Sequence, residues 1–231
     1  MTKNNQLLTS NQVQLVVKAM EKLYPAIESE LHFNNHFELV CAVVLSAQAT
    51  DAGVNRVTPD LFKAYATPEA MMDAPIENIQ ELISSIGLYR NKAKYLKKMS
   101  RQLVEDFDGI VPQTREELMT LAGVGRKTAN VVLTNAFNIP AFAVDTHVER
   151  MSKKFYFVPQ DASVREVEDI MMNHLPAEYW RQAHHSILLF GRYQCVARSH
   201  DHQKCLERIK NELPQNDLGE QIYALISRPA D

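Results

Sequence analysis

Two residues eighteen positions apart carry the reactive chemistry of this chain: Lys127, just past a glycine hairpin, and Asp145. The hairpin reads Leu121-Ala122-Gly123-Val124-Gly125 and runs into Arg126-Lys127-Thr128. A tight Gly-x-Gly turn opening a helix presents backbone N–H groups to a phosphate, and the missing side chains let that phosphate come close. The same helix start sets the Lys127 amine where burial, positive potential and neighbouring Arg126 all favour its neutral, nucleophilic form. Asp145 follows the apolar run Ala141-Phe142-Ala143-Val144 and opens Asp145-Thr146-His147. A carboxylate there could stabilise positive charge growing on a sugar, or assist deprotonation of an attacking amine. It is equally suited to N-capping a helix, and the two duties are compatible. A phosphate anchor beside an amine nucleophile points to chemistry on a nucleic-acid backbone.

The elements that must position these groups are helices. Apolar residues recur at helical spacing nearly everywhere and no sustained alternation appears, which predicts an all-α fold. The expected helices cover 10–24, 29–48, 51–65, 68–73, 77–86, 89–107, 114–121, 126–137, 143–155, 163–174, 178–190 and 203–213. Thr67-Pro68-Glu69 and Thr114-Arg115-Glu116-Glu117 have an N-cap threonine followed by early acids. Pro25, Pro59, Pro75, Pro112, Pro140, Pro159 and Pro176 punctuate the connections. Two helical lobes are expected: 29–139, a six-helix lobe with the hairpin, and 1–28 plus 140–231, with the active site in the cleft between them.

Composition narrows the class. The chain has 231 residues with only 7 Gly and 10 Pro, enough apolar content for a packed core and no low-complexity character. No apolar run approaches the roughly 20 residues of a membrane span. Met1-Thr2-Lys3-Asn4-Asn5-Gln6 is polar, unlike a signal peptide, so a soluble, cytoplasmic and nucleoid-associated monomer with no membrane partner is expected. Cys41, Cys195 and Cys205 are too few for a disulfide framework. A net charge of −3 is low for a nucleic-acid binder, but Arg90, Lys92, Lys94, Lys97, Lys98 and Arg101 fall within twelve residues with no acid among them. That cluster is either a solvated helix face or a DNA-facing stripe, and it implies modest non-specific affinity.

Several motifs in order resemble the endonuclease III branch of the helix–hairpin–helix DNA glycosylases. They are Phe37-Glu38-Leu39 with Leu45-Ser46-Ala47-Gln48-Ala49-Thr50-Asp51, then Ile86-Gly87-Leu88-Tyr89-Arg90-Asn91-Lys92-Ala93. The hairpin, Val144-Asp145-Thr146-His147, His184-His185 and Phe190-Gly191-Arg192-Tyr193-Gln194-Cys195 follow. The resemblance covers about residues 10–205. It implies a base excision repair enzyme that removes oxidised or ring-saturated pyrimidines from double-stranded DNA and nicks the abasic site by β-elimination. Lys127 would be the Schiff-base nucleophile and Asp145 its partner. Gln48 and Leu88 would fill the gap left by an extruded base. Leu121, Gly123, Val124 and Gly125, with Arg126 and Thr128, would hold a phosphate 3′ to the lesion, where a monovalent or divalent cation could bridge. Ser46, Asp51 and His147 match the family's base-pocket neighbourhood. His184-His185 reads as a packed structural pair. Ala122 stands where proline often precedes the first glycine.

The chain departs from the family at its C-terminal end. Relatives carry a [4Fe–4S] cluster on C-x6-C-x2-C-x5-C, and that pattern falls here on Cys195, His202, Cys205 and Asn211. The expectation is therefore no cluster and no metal, with apolar packing by Leu206, Ile209 and Leu213 in its place. Zinc on Cys195, His200, His202 and Cys205 is chemically conceivable. The spacing is tight, however, and the two histidines point apart in extended chain. Two other readings stay open: a non-catalytic helix–hairpin–helix DNA-binding protein, and the same scaffold acting on mismatched thymine, uracil or oxidised guanine. The tail 214–231 lies beyond the resemblance.

Overall fold

The computed structural model describes residues 6–25, 30–198 and 200–228. Thirteen α-helices and no strand are found among them. They fall into two compact units, 28–139 and 1–27 with 140–231. The expected boundary at 28–29 lies outside the described residues.

In the 28–139 unit, α2 (His36–Ser46) is the central helix. Phe37 to Leu45 is buried without a break and apolar apart from Glu38, so this segment must be surrounded by other helices. The expected helix over 29–48 is shorter than predicted because Asn35 caps it, accepting from Glu38 N at 2.9 Å. Against it pack α3 (Asp51–Ala64), α6 (Tyr89–Phe107) and α8 (Arg126–Ala136), while α4 (Pro68–Asp73) and α5 (Ile76–Leu82) pack on α6 and α7 (Arg115–Leu118) on α8. Threonines 50, 67 and 114 each cap the helix that follows. Pro59 marks no connection; it lies inside α3, within the expected span 51–65, and the helix forgoes one ladder hydrogen bond there. Leu39, Leu45, Leu61, Met71, Ile79, Ile83 and Leu96 form the sealed interior.

The other unit holds α1 (Ser10–Leu23), α9 (Thr146–Lys154), α10 (Val164–His174), α11 (Trp180–Leu189), α12 (His202–Glu212) and α13 (Asp217–Ile226). Capping boxes start α1 (Thr9 with Gln12) and α10 (Ser163 with Glu166). Phe142, Phe155, Phe157 and Phe190 fill its core. The tail beyond the resemblance is used: α13 buries Ile222 and Ile226 against this core. None of the helices among the described residues is long and apolar enough to cross a membrane.

Candidate active site and metal loop

The hairpin is braced by α6. Gln102 accepts from Ala122 N at 2.8 Å and donates to Thr120 O at 2.9 Å, so one side chain holds the chain entering the turn at two points. Gly123 sits at φ +82, and a Cβ there would lie 3.1 Å from both Tyr95 and Val44. The turn therefore needs glycine twice over, for its left-handed backbone and for space. Gly125 differs. It N-caps α8 in ordinary extended backbone, with no side-chain cap bond, and a Cβ there would meet nothing within 4 Å. Leu121 and Val124 are buried anchors, closed by a 3.1 Å bond from Val124 N to Leu121 O. Arg126, Lys127 and Thr128 form the first turn of α8, and Lys127 is exposed. The burial expected around its amine is not there.

Two further loops of this unit stand side by side. Gln48 and Leu88 both adopt left-handed backbone, φ 53 and φ 59, although neither is glycine. A Cβ on Gly87 would lie 3.6 Å from the Gln48 carbonyl oxygen, so the two loop tips adjoin. Leu88 is 56 % exposed, a large apolar side chain held out on a strained turn. Ser46 ends α2 with its hydroxyl donating to Val43 O at 2.8 Å, and Asp51 opens α3.

The basic cluster divides by helix face. Arg90, Lys94, Lys98 and Arg101 are exposed at i, i+4, i+8 and i+11 along α6. Lys92 is not part of that stripe. It is 3 % exposed, its Nζ has no hydrogen-bond partner among the described residues, and burial pulls its pKa down. Lys97 turns back to donate to Ala74 O.

In the other unit, Asp145 caps α9. Its Oδ1 accepts from His147 N at 2.9 Å and Val148 N at 2.8 Å. His147 follows in the first turn, its Nδ1 buried without a hydrogen-bond partner among the described residues. His184 is buried and bonds Ala143 O at 2.8 Å, which fixes the extended segment leading into Asp145. Its neighbour His185 is held down to about 4 by burial, by His184 and by Arg181. A histidine depressed in the folded chain takes its proton more readily when unfolded. Stability should therefore be full above pH 6.5, fall as pH drops toward 4, and level off below. Thermal melting across that window should show a gentler slope for His185→Gln than for the parent; equal slopes would rule His185 out as the source.

The segment after α11 is a π-turn, Phe190–Gln194, closed by Cys195 N donating to Phe190 O at 2.8 Å. Arg150 of α9 clamps it, donating to Cys195 O at 2.6 Å and Gly191 O at 2.8 Å. There the ligand atoms of Cys195, His200, His202 and Cys205 all lie within 4.8 Å of one another. The expectation of a lobe without metal is thus corrected: the loop gathers a metal-binding donor set where the family places its cluster. The chain is not extended between the histidines. Asp201 caps α12 by accepting from Gln203 N at 3.1 Å, and the bend turns both rings onto Cys195 Sγ, each at 3.5 Å. Leu206, Ile209 and Leu213 do pack into the core, but beside this set and not instead of it. The Cys195 thiol is pulled down to about 7, first by a hydrogen bond from Cys205 and then by Lys154 and Arg150, against the effect of burial; the Cys205 thiol is pushed up. Gln102, Tyr95 and Arg150 escaped sequence reading because each acts on a partner far along the chain.

Comparison with known proteins decides the family. Residues 41–177 match the HhH-GPD superfamily of base excision DNA repair proteins. Endonuclease III of Bacillus subtilis is 50 % identical over 84 % of this chain and 88 % of its own length. The chain belongs to the endonuclease III family. The endonuclease III of Escherichia coli strain K12 is 45 % identical over 75 % of this chain and 82 % of its own. Among solved structures, a trapped endonuclease III–DNA covalent intermediate matches with TM-score 0.84 and 46 % identity, covering 93 % of this chain and 99 % of that one. A thermostable thymine-DNA glycosylase shares the fold at TM-score 0.78 and 20 % identity, over 91 % of this chain and 98 % of that one. Members of the endonuclease III family are DNA glycosylases with AP lyase activity, and this chain is one of them.

Proposed function

We propose that this glycosylase/lyase acts on oxidised or ring-saturated pyrimidines in duplex DNA, with Lys127 as its nucleophile. The observation that carries the reading is Lys127 exposed in the first turn of α8, directly after a glycine hairpin with open space beside Gly125. The Lys127 amine attacks the anomeric carbon, the glycosidic bond breaks, and its electron pair leaves with the base. Opening of the sugar gives a protonated Schiff base, which acidifies the adjacent C2′ proton. Loss of that proton expels the 3′ phosphate by β-elimination. Asp145 stabilises the positive charge that grows on the sugar. The hairpin N–H groups hold the phosphate 3′ to the lesion, the exposed cations of α6 add backbone contacts, and Gln48 and Leu88 occupy the gap left by the extruded nucleotide. A related endonuclease III has been captured covalently on DNA, which supports an amine nucleophile in this one.

Borohydride reduction tests the assignment. The parent should give a covalent protein–DNA adduct on thymine-glycol and abasic duplexes, and Lys127→Gln should give none while still binding the duplex. Equal trapping by both proteins would remove Lys127 from the mechanism. Trapping by the parent on abasic sites and on oxidised guanine or uracil, but on no oxidised pyrimidine, would replace the substrate class.

A further inference from the structure

We propose that Cys195, His200, His202 and Cys205 hold a single tetrahedral divalent ion of the zinc class. The donor set is two thiols and two imidazoles, a combination that suits zinc. Its size matches one coordination sphere. A tetrahedral ion with metal–sulfur bonds of roughly 2.3 Å and metal–nitrogen bonds of roughly 2.05 Å separates sulfur from nitrogen by about 3.6 Å. Cys195 Sγ lies 3.5 Å from His200 Nε2 and 3.5 Å from His202 Nδ1. Two edges of the tetrahedron are thus already in place, and the remaining atoms fall within 4.8 Å.

The surroundings orient the ligands as metal sites require. His200 Nδ1 donates to Arg198 O at 2.9 Å, which fixes the tautomer that turns the Nε2 lone pair toward Cys195. Arg150 holds the backbone on which Cys195 sits, donating to the Cys195 carbonyl oxygen. Cys195 and Cys205 are both buried, while His200 and His202 are only half-buried, so an ion has a way in from the histidine side. Cys205 lies one turn after His202 on α12, so the ion ties that helix start to the π-turn. The ion would close a loop of irregular chain, and its duty is structural: with four protein ligands no position remains for substrate.

Full-length protein, purified without a chelating resin, should contain about one zinc per chain by elemental analysis. Exchange into cobalt(II) should give the intense visible bands of a tetrahedral site together with thiolate charge transfer in the near ultraviolet. These spectra use the parent chain, so they stand even if ligand variants misfold. His200→Gln, which leaves both thiols and the α12 start intact, should weaken zinc binding by roughly tenfold or more. Iron with acid-labile sulfide in stoichiometric amount would overturn the single ion in favour of a cluster. A metal-free chain that takes up neither zinc nor cobalt at micromolar concentration would overturn the site altogether.

Discussion

Asp145→Asn should leave the protein folded and nearly as stable as the parent while lowering base release by about 10²-fold or more. The separation follows from how the carboxylate is used. As a helix cap, Asp145 offers one oxygen to His147 N and Val148 N. Asparagine has a carbonyl oxygen at the same reach and ranks with aspartate as an N-cap. What it lacks is charge, and α9 loses only a modest interaction with its dipole, about 0.3–1 kcal/mol. An oxocarbenium-like sugar beside a neutral amide loses far more. Single-turnover kinetics on a thymine-glycol duplex, run beside thermal melting, gives both numbers. A variant that melts much lower, or one that excises at the parental rate, would show that Asp145 acts only as a cap.

The second large effect is structural. Gly123→Ala should cost about 2–5 kcal/mol, from left-handed strain of roughly 1–2 kcal/mol and an overpacking penalty of roughly 1–3 kcal/mol. Both contributions come from observations at one atom. The backbone stands at φ +82, and the added methyl would be pressed 3.1 Å from Tyr95 and Val44. Tyr95 cannot yield freely, because it shares α6 with Gln102, the residue that pins the chain entering the hairpin. Urea unfolding should show a lower midpoint with an unchanged slope. A variant as stable as the parent would mean that the hairpin relaxes, and that the brace from α6 is weaker than its geometry suggests.

Much of this was legible along the chain because it depends on neighbours in sequence. The all-α class follows from apolar spacing, and several helix starts follow from a capping residue, as at Thr67 and Thr114. What failed to show depends on three-dimensional closure. Lys92 and Lys94 look alike in sequence, yet the turn of α6 buries one and exposes the other. Leu88 could be read as exposed but not as left-handed, since no local rule puts leucine at φ 59. The reading of His200 and His202 went wrong at Asp201. Extended chain sends the two rings apart, and a helix cap between them brings both onto one sulfur. Arg150 reaches Cys195 across 45 residues, and no spacing rule covers that distance.

Gly125 has a bearing on any attempt to make this enzyme more robust. The folded chain has no internal use for a glycine at that position, since its backbone is ordinary and the space beside it is empty. Alanine there narrows the unfolded ensemble and raises stability by about 0.4–1 kcal/mol. A library ranked by melting temperature would therefore enrich Gly125→Ala and discard Gly123→Ala, keeping the change that puts a methyl at the proposed phosphate contact. Heat tolerance and repair would be selected in opposite directions at one residue, with nothing in the melting curve to show it.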